Sequence, residues 1–205
     1  MPMKLYITPG SAYARMARIV LIEKGLDERV EVVPAQTRRA GSAYYAICPS
    51  GRVPYLVRDD GVGMEESAVI CGFLDQLDGA PSLTIPADTD RWEWLRLEAS
   101  ARSMLDGLSV WLREASRPQA EQSPTVIQHE MARSERMLDV WEDHSSHPLM
   151  CEPLNILQIT LACALGLEAR IPTLLWRAGR PRLVHWYSRV ASRASFASTA
   201  PPAAR

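Results

Sequence analysis

The spacing of apolar residues divides the chain into a mixed first part and a helical second part. Lys4 to Thr8 alternates as a short strand, and Pro9-Gly10 stops it by turn chemistry. A helix is predicted next, with Tyr13, Met16, Ala17, Val20 and Leu21 on one apolar stripe and Arg15, Arg18 and Glu23 off it. Gly25 supplies the left-handed residue that ends such a helix. Arg29 to Val33 reads as a second strand, so the unit is β-α-β with its strands parallel. A short helical piece around Ala43 to Ile47 follows. Val53 to Arg58 and Val62 to Met64 then form a hairpin about Asp60-Gly61, and Glu65 to Leu77 forms a helix that turns Ile70, Phe73, Leu74 and Leu77 inward. Pro54 heads its strand, where a missing N–H suits an irregular start and a cis peptide bond is expected.

Prolines between regular elements place a linker at 80–88, separating a first domain, 1–79, from a second, 89–205. In the second domain Trp94, Leu97, Ala101, Leu105, Leu108 and Leu112 mark one long helix that runs until Pro118. Ser123-Pro124 opens another, expected to bury Ile127, Met131, Leu138 and Trp141. Asn155 to Leu165 is apolar on nearly every side, as a central helix is, and Asn155 with Gln158 has the form of a reciprocal capping box. Pro181 opens a helix carrying Leu183, Trp186, Tyr187 and Val190, and the tail from Ser198 is too poor in apolar residues to be expected to pack.

Composition narrows the function classes. With 205 residues and a formal charge of −1, the chain fits two small domains and carries no electrostatic case for nucleic acid. The apolar run Ile159 to Leu167 falls far short of a membrane span, and MPMKLYIT has neither the basic nor the apolar region of a signal peptide, so a cytoplasmic setting is expected. Cys48, Cys71, Cys151 and Cys163 are scattered without a C-x-x-C pair, which fits a reducing compartment and disfavours dithiol chemistry. His144, His147 and Cys151 have a ligand-like spacing, but Pro148 interrupts them and no fourth ligand is near, so no metal is expected.

The stretch that points to chemistry is Thr8-Pro9-Gly10-Ser11. A serine at the mouth of a helix is an N-cap first of all, yet the first-turn N–H groups, the helix dipole and a hydroxyl together also favour an anion such as a thiolate.

Five segments in order, KLYITPGSAYARMARIVLIEKGL, PSGRVPYLV with MEESAVICGFLD, EASARSMLDGL, PLNILQITLACALG and RAGRPRLVHWYSRVASRASFASTAPP, resemble the cytosolic glutathione transferase family, in particular its bacterial serine or cysteine type. The resemblance implies a thioredoxin-like α/β N-terminal domain, an all-α C-terminal domain, a homodimer, and glutathione as co-substrate with no cofactor. It implies that Ser11 contacts the glutathione sulfur, with Thr8 and Tyr6 as alternatives. It implies that the Val53 backbone pairs with the tripeptide like an added strand, that Pro54 is the family's cis-proline, and that Arg52 faces the glycyl carboxylate. Glu66 and Ser67 would hold the γ-glutamyl end, Ser67 capping its helix. The second substrate, a small hydrophobic electrophile, would meet Thr8, Tyr13, Met104, Leu108 and Trp111, although those on the long helix fit a core equally well. The expected activity is detoxifying transfer of glutathione; a lyase, isomerase or dehalogenase using the same thiolate, or a binding protein without turnover, are the alternatives. Cys48, where the family's N-P-x-G loop often has Asn, and Asn155-x-x-Gln158, in place of Ser/Thr-x-x-Asp, are departures from the pattern.

Overall fold

The computed structural model describes residues 2–77, 82–84, 90–151 and 153–202. The chain forms two compact units, Met1–Thr84 and Ile85–Arg205. Of the expected linker only 82–84 is described, and the last three residues of the tail lie outside the described residues.

In the first unit β1 (Met3–Ile7), β2 (Val30–Pro34), β3 (Tyr55–Val57) and β4 (Gly63–Glu65) make one sheet in the order β2-β1-β3-β4. β1 and β2 are parallel, and β1–β3 and β3–β4 are antiparallel. This is the thioredoxin-like mixed arrangement. β1 buries Met3, Leu5 and Ile7, while Lys4 and Tyr6 take the opposite face, as a two-residue period requires. α1 (Ala12–Glu23) buries Met16, Ala17, Ile19, Val20 and Leu21 and ends at Gly25, whose φ of 61° is left-handed. Arg15, expected off the stripe, is also buried: the helix is covered over a wider arc than the stripe alone spans. α2 (Tyr44–Ile47) is a single turn, and α3 (Ser67–Asp75) packs against α1.

The C-terminal ends of α1 and α3 meet in a buried ion pair, Lys24 Nζ to Asp75 Oδ1 at 3.2 Å, with the two side chains 0% and 3% exposed. Asp75 also accepts from the Leu83 N–H (2.8 Å), the Thr84 N–H (3.0 Å) and the Thr84 hydroxyl (2.7 Å), and so draws 82–84 onto the unit. Burial pushes the Asp75 carboxyl up, but the donors from Leu83, Thr84 and Lys24 outweigh it and hold the group below its ordinary value.

In the second unit α4 (Arg91–Ala115) packs on α5 (Pro124–His144) and on α6 (Ile156–Leu165), with α7 (Pro181–Ala191) against α5 and α6 and the short α8 (Ala194–Ser198) against α7. Asp90 and Ser123 cap α4 and α5. α7 has no cap of its own; Glu142 of α5 accepts from its Arg182 and Leu183 N–H groups instead. α5 buries Leu138 and Trp141, whereas Met131, expected inside, is 38% exposed, because a helix packed on one flank covers a narrower stripe. The start of the tail is ordered against expectation: Thr199 is buried and its hydroxyl donates to the Ser195 carbonyl.

The box at α6 departs from its expected form. Asn155 Oδ1 accepts from the Gln158 N–H at 3.1 Å, the forward half. The return half is missing, because the Gln158 amide donates to the carbonyls of Leu149, Cys151 and Pro153. Asn155 Nδ2 donates to Leu149 O as well, and Met150 O accepts from Trp186 Nε1 and Arg189. A donor at position 158 is thus what the 149–153 carbonyls need.

Asp75→Asn removes the buried carboxylate that faces Lys24 Nζ at 3.2 Å and is expected to cost about 3–5 kcal/mol in urea unfolding. Because the folded Asp75 titrates below its unfolded value of 3.8, its contribution is full above that pH and disappears as pH falls through the lower folded value. The variant's stability should therefore fall less steeply than wild type over the acidic range. Gln158→Ala takes the side-chain donor from the Cys151 carbonyl and leaves those of Leu149 and Pro153 to Asn155 Nδ2 alone, at an expected cost of about 2 kcal/mol. Gln158→Glu should cost more at neutral pH and partly recover in mild acid, where the protonated carboxyl donates again; thermal melts at the two pH values check this.

Candidate functional site

Strand register gathers the candidate residues. Tyr6 of β1 stands opposite Tyr55 of β3, and Tyr55 opposite Glu65 of β4. Continuing these antiparallel registers sets Thr8 level with Val53 and Glu66 level with Pro54. The turn leading to Ser11, the start of β3 and the start of α3 therefore meet at one end of the sheet.

The helices lead to the same place. α1 has 12 residues and α3 has 9, which at 1.5 Å per residue makes them about 18 Å and about 14 Å long. Packed on each other and fastened together at their C-terminal ends by Lys24 and Asp75, they run in the same sense and open their N-termini at one end. Two positive dipole ends then face the region between Ser11 and Ser67, which favours an anionic ligand.

Ser11 is the N-cap of α1: its Oγ accepts from the Ala14 N–H at 3.2 Å, and its own N–H donates to the Thr8 carbonyl at 3.1 Å. A hydroxyl that accepts in this way keeps its proton for donation elsewhere. The cap of α3 is Glu66, not Ser67, and it makes no side-chain cap bond. Ser67 is the first helical residue; it is buried, and its hydroxyl donates to Glu66 Oε1 at 3.3 Å. This corrects the expected capping role of Ser67, because a side chain inside the first turn cannot reach the amides as one at the cap does. Glu66 has φ 75°, ψ 117°, a region that residues with a Cβ rarely occupy and that clusters at ligand sites. The Val53–Pro54 bond is cis.

Around Arg52 lies a network that sequence reasoning missed. The Tyr44 hydroxyl donates to the Arg52 carbonyl, the Arg52 N–H donates to Ser50 Oγ at 3.3 Å, and Ser50 Oγ donates to Glu65 Oε2. Cys48 Sγ lies 3.2 Å from Ser50 Oγ and 3.6 Å from the Arg52 carbonyl. Burial, and then Cys48, push the Tyr44 hydroxyl well above its ordinary value, so it stays a donor. Tyr55 is raised as well, by burial, Cys48 and Glu65. The available signal was the four-residue spacing of Tyr44 and Cys48, which puts both on one face of a helical turn.

The remaining candidates are distributed differently. Thr8 and Tyr13 are half-buried near Ser11 in sequence, and the Tyr6 ring stands 5.6 Å from that of Tyr44. Met104, Leu108 and Trp111 of α4 are 1%, 1% and 3% exposed, the burial of core residues. His144 Nδ1 faces the Val140 carbonyl, His147 Nδ1 accepts from the Leu149 N–H, and Cys151 Sγ turns to the His147 carbonyl. Among the described residues no three His, Cys, Asp or Glu side chains are grouped as a metal ion requires. Nor is any described helix long and apolar enough to cross a membrane.

Comparison with known proteins agrees with this geometry. Residues 10–77 match the family description "Glutathione S-transferase, N-terminal domain". The chain is 31% identical over 204 residues to the uncharacterized GST-like protein YibF of Escherichia coli K12, covering 98% of this chain and 100% of the relative. Among solved structures it resembles a glutathione transferase family member from Pseudomonas fluorescens Pf-5 with bound glutathione (TM-score 0.87, 30% identity, 98% of this chain and 99% of that one). It also resembles a glutathione S-transferase from Methylobacillus flagellatus KT with glutathione bound (TM-score 0.86, 30% identity, 98% and 100%).

Proposed function

Since the chain belongs to the glutathione S-transferase family, we propose that it is a glutathione transferase whose tripeptide site is the sheet end shared by Ser11, Val53 and Ser67. The observation that carries the reading is the convergence there of two helix N-termini with the start of β3, together with relatives solved holding glutathione. In this reading the γ-glutamyl carboxylate takes the N-terminal amides of α3 and the Ser67 hydroxyl, and Glu66 accepts from the ammonium group. The Val53 backbone pairs with the cysteinyl residue beside Pro54, and the exposed Arg52 guanidinium faces the glycyl carboxylate.

Ser11 acts by stabilising charge. A free thiol titrates near pH 8.5, so little of it is thiolate at neutrality; one hydroxyl hydrogen bond and a helix N-terminus supply about 1.5–3 kcal/mol, enough to lower the value by one or two units. The thiol proton leaves to solvent, the thiolate forms a carbon–sulfur bond with the electrophile, and the displaced group departs with its electron pair. Thr8 and Tyr13 face the electrophile; Met104, Leu108 and Trp111 are left to the core. The protein works as a homodimer in the cytoplasm, in detoxification of small hydrophobic electrophiles.

The test is titration with reduced glutathione, followed by ultraviolet thiolate absorbance at neutral pH. Ser11→Gly is the informative variant, since glycine at an N-cap costs only a few tenths of a kcal/mol while the hydroxyl is lost. Its bound thiol is expected to become about one pKa unit less acidic, a fall of about three- to eightfold in thiolate fraction at pH 7, with Ser11→Thr recovering most of it. Absence of binding at millimolar glutathione would overturn the reading, and binding with no conjugation across a broad electrophile panel would convert it to a binding protein.

A further inference from the structure

The loop between α2 and β3 is tied by side chains at both backbone polar groups of one residue. Arg52 gives its N–H to Ser50 Oγ and receives the Tyr44 hydroxyl at its carbonyl. Ser50 gives its single proton to Glu65 Oε2, so toward Arg52 N the same oxygen accepts, while Cys48 Sγ lies 3.2 Å from that oxygen and 3.6 Å from the Arg52 carbonyl. Tyr44 is 5% exposed and its ring rests by Tyr6, so its hydroxyl is held rather than free to swing. Before Arg52, Gly51 takes φ 65°, and a Cβ there would stand 2.6 Å from the Tyr45 ring, so the approach to Arg52 is confined as well.

This arrangement acts on Val53. The Arg52 carbonyl and the Val53 N–H belong to one planar trans peptide and point in opposite directions. Drawing the carbonyl inward to Tyr44 therefore aims the Val53 N–H the other way. Val53 lies outside the paired positions of β3, which begin at Tyr55, so its polar groups are not committed to the ladder. At the other end of the network Glu65 is the last residue of β4 and is followed by Glu66, whose positive φ starts α3.

We propose that Tyr44 and Ser50 are positioning residues that orient the Arg52–Val53 peptide and couple it, through Glu65, to the Glu66-Ser67 start of α3. The inference rests on the reading of this sheet end as a glutathione site. The two ends of the tripeptide are then recognised by one hydrogen-bonded unit rather than by two independent loops, and loss of either hydroxyl weakens binding without touching the thiolate.

The experiment is isothermal titration of the full chain with reduced glutathione, using wild type, Tyr44→Phe, Ser50→Ala, Ser50→Thr and the double variant Tyr44→Phe/Ser50→Ala. Tyr44→Phe, which loses a part-buried hydrogen bond, is expected to raise Kd about tenfold, and Ser50→Ala, which loses exposed ones, about threefold, with stoichiometry unchanged and the thiolate fraction of bound glutathione as in wild type. Ser50→Thr should restore affinity, and the double variant should weaken binding by less than the product of the single effects. If wild type fails to bind, the glutathione reading falls and this inference with it. If wild type binds and both single variants bind within about twofold of it, the inference alone is overturned and the glutathione reading stands. Loss of stoichiometry or of melting temperature at unchanged Kd would likewise overturn it, by showing that the hydroxyls support the fold only.

Discussion

A carboxylate removed from water must be surrounded by donors, and in this protein that requirement organises the first unit. Asp75 meets it with Lys24, the Leu83 N–H and both donors of Thr84. The consequence reaches beyond local stability. Lys24 ends α1 and Asp75 ends α3, so the pair sets how the two helices slide along one another, and hence how far Ser11 stands from Glu66 and Ser67 at the opposite ends. A buried ion pair is weak evidence for net stability but well suited to fixing register, because a slip by one turn would part the two charges.

The sheet supplies the other half of the site. Antiparallel register at Tyr6, Tyr55 and Glu65 makes the ends of three strands level, and three departures from regular backbone lie by them: the cis bond before Pro54, the positive φ of Glu66 and the Gly51 turn. Regular structure holds a scaffold in place, and irregular backbone at its rim leaves N–H and C=O groups uncommitted to a ladder. The hydroxyl of Tyr44, donating to the Arg52 carbonyl, and that of Ser50, accepting from the Arg52 N–H, tie that rim to its neighbours.

Much of this was legible in the residues. β1, α1, Gly25 and the Asp60-Gly61 hairpin follow from local period and turn chemistry, and the β-α-β order makes β1 and β2 parallel. What the sequence did not disclose are interactions between distant residues. Nothing in a lysine at a helix end announces an aspartate fifty-one positions later. Met131 and Arg15 show the limit of periodicity, which tells which residues share a face but not how wide an arc the neighbours cover. Gln158 shows a different limit: the motif placed a polar residue correctly, yet its partners are carbonyls of a preceding loop rather than the cap, and only the folded chain brings those carbonyls together. For the site, the family resemblance named Ser11, Val53, Glu66 and Ser67 as candidates, while of the Tyr44 to Glu65 network only the spacing of Tyr44 and Cys48 is local and the rest depends on the loop conformation.

The cap at Ser11 has a bearing on acidity. Its oxygen accepts from the Ala14 amide, and a hydroxyl that accepts a hydrogen bond becomes a stronger donor, since each bond in a chain polarises the next. In the proposed role, fastening the helix and polarising the hydroxyl are therefore one act. The donor strength of Ser11 then varies with the geometry of the first turn of α1, and a residue change there that never touches a ligand retunes the site through a single backbone amide.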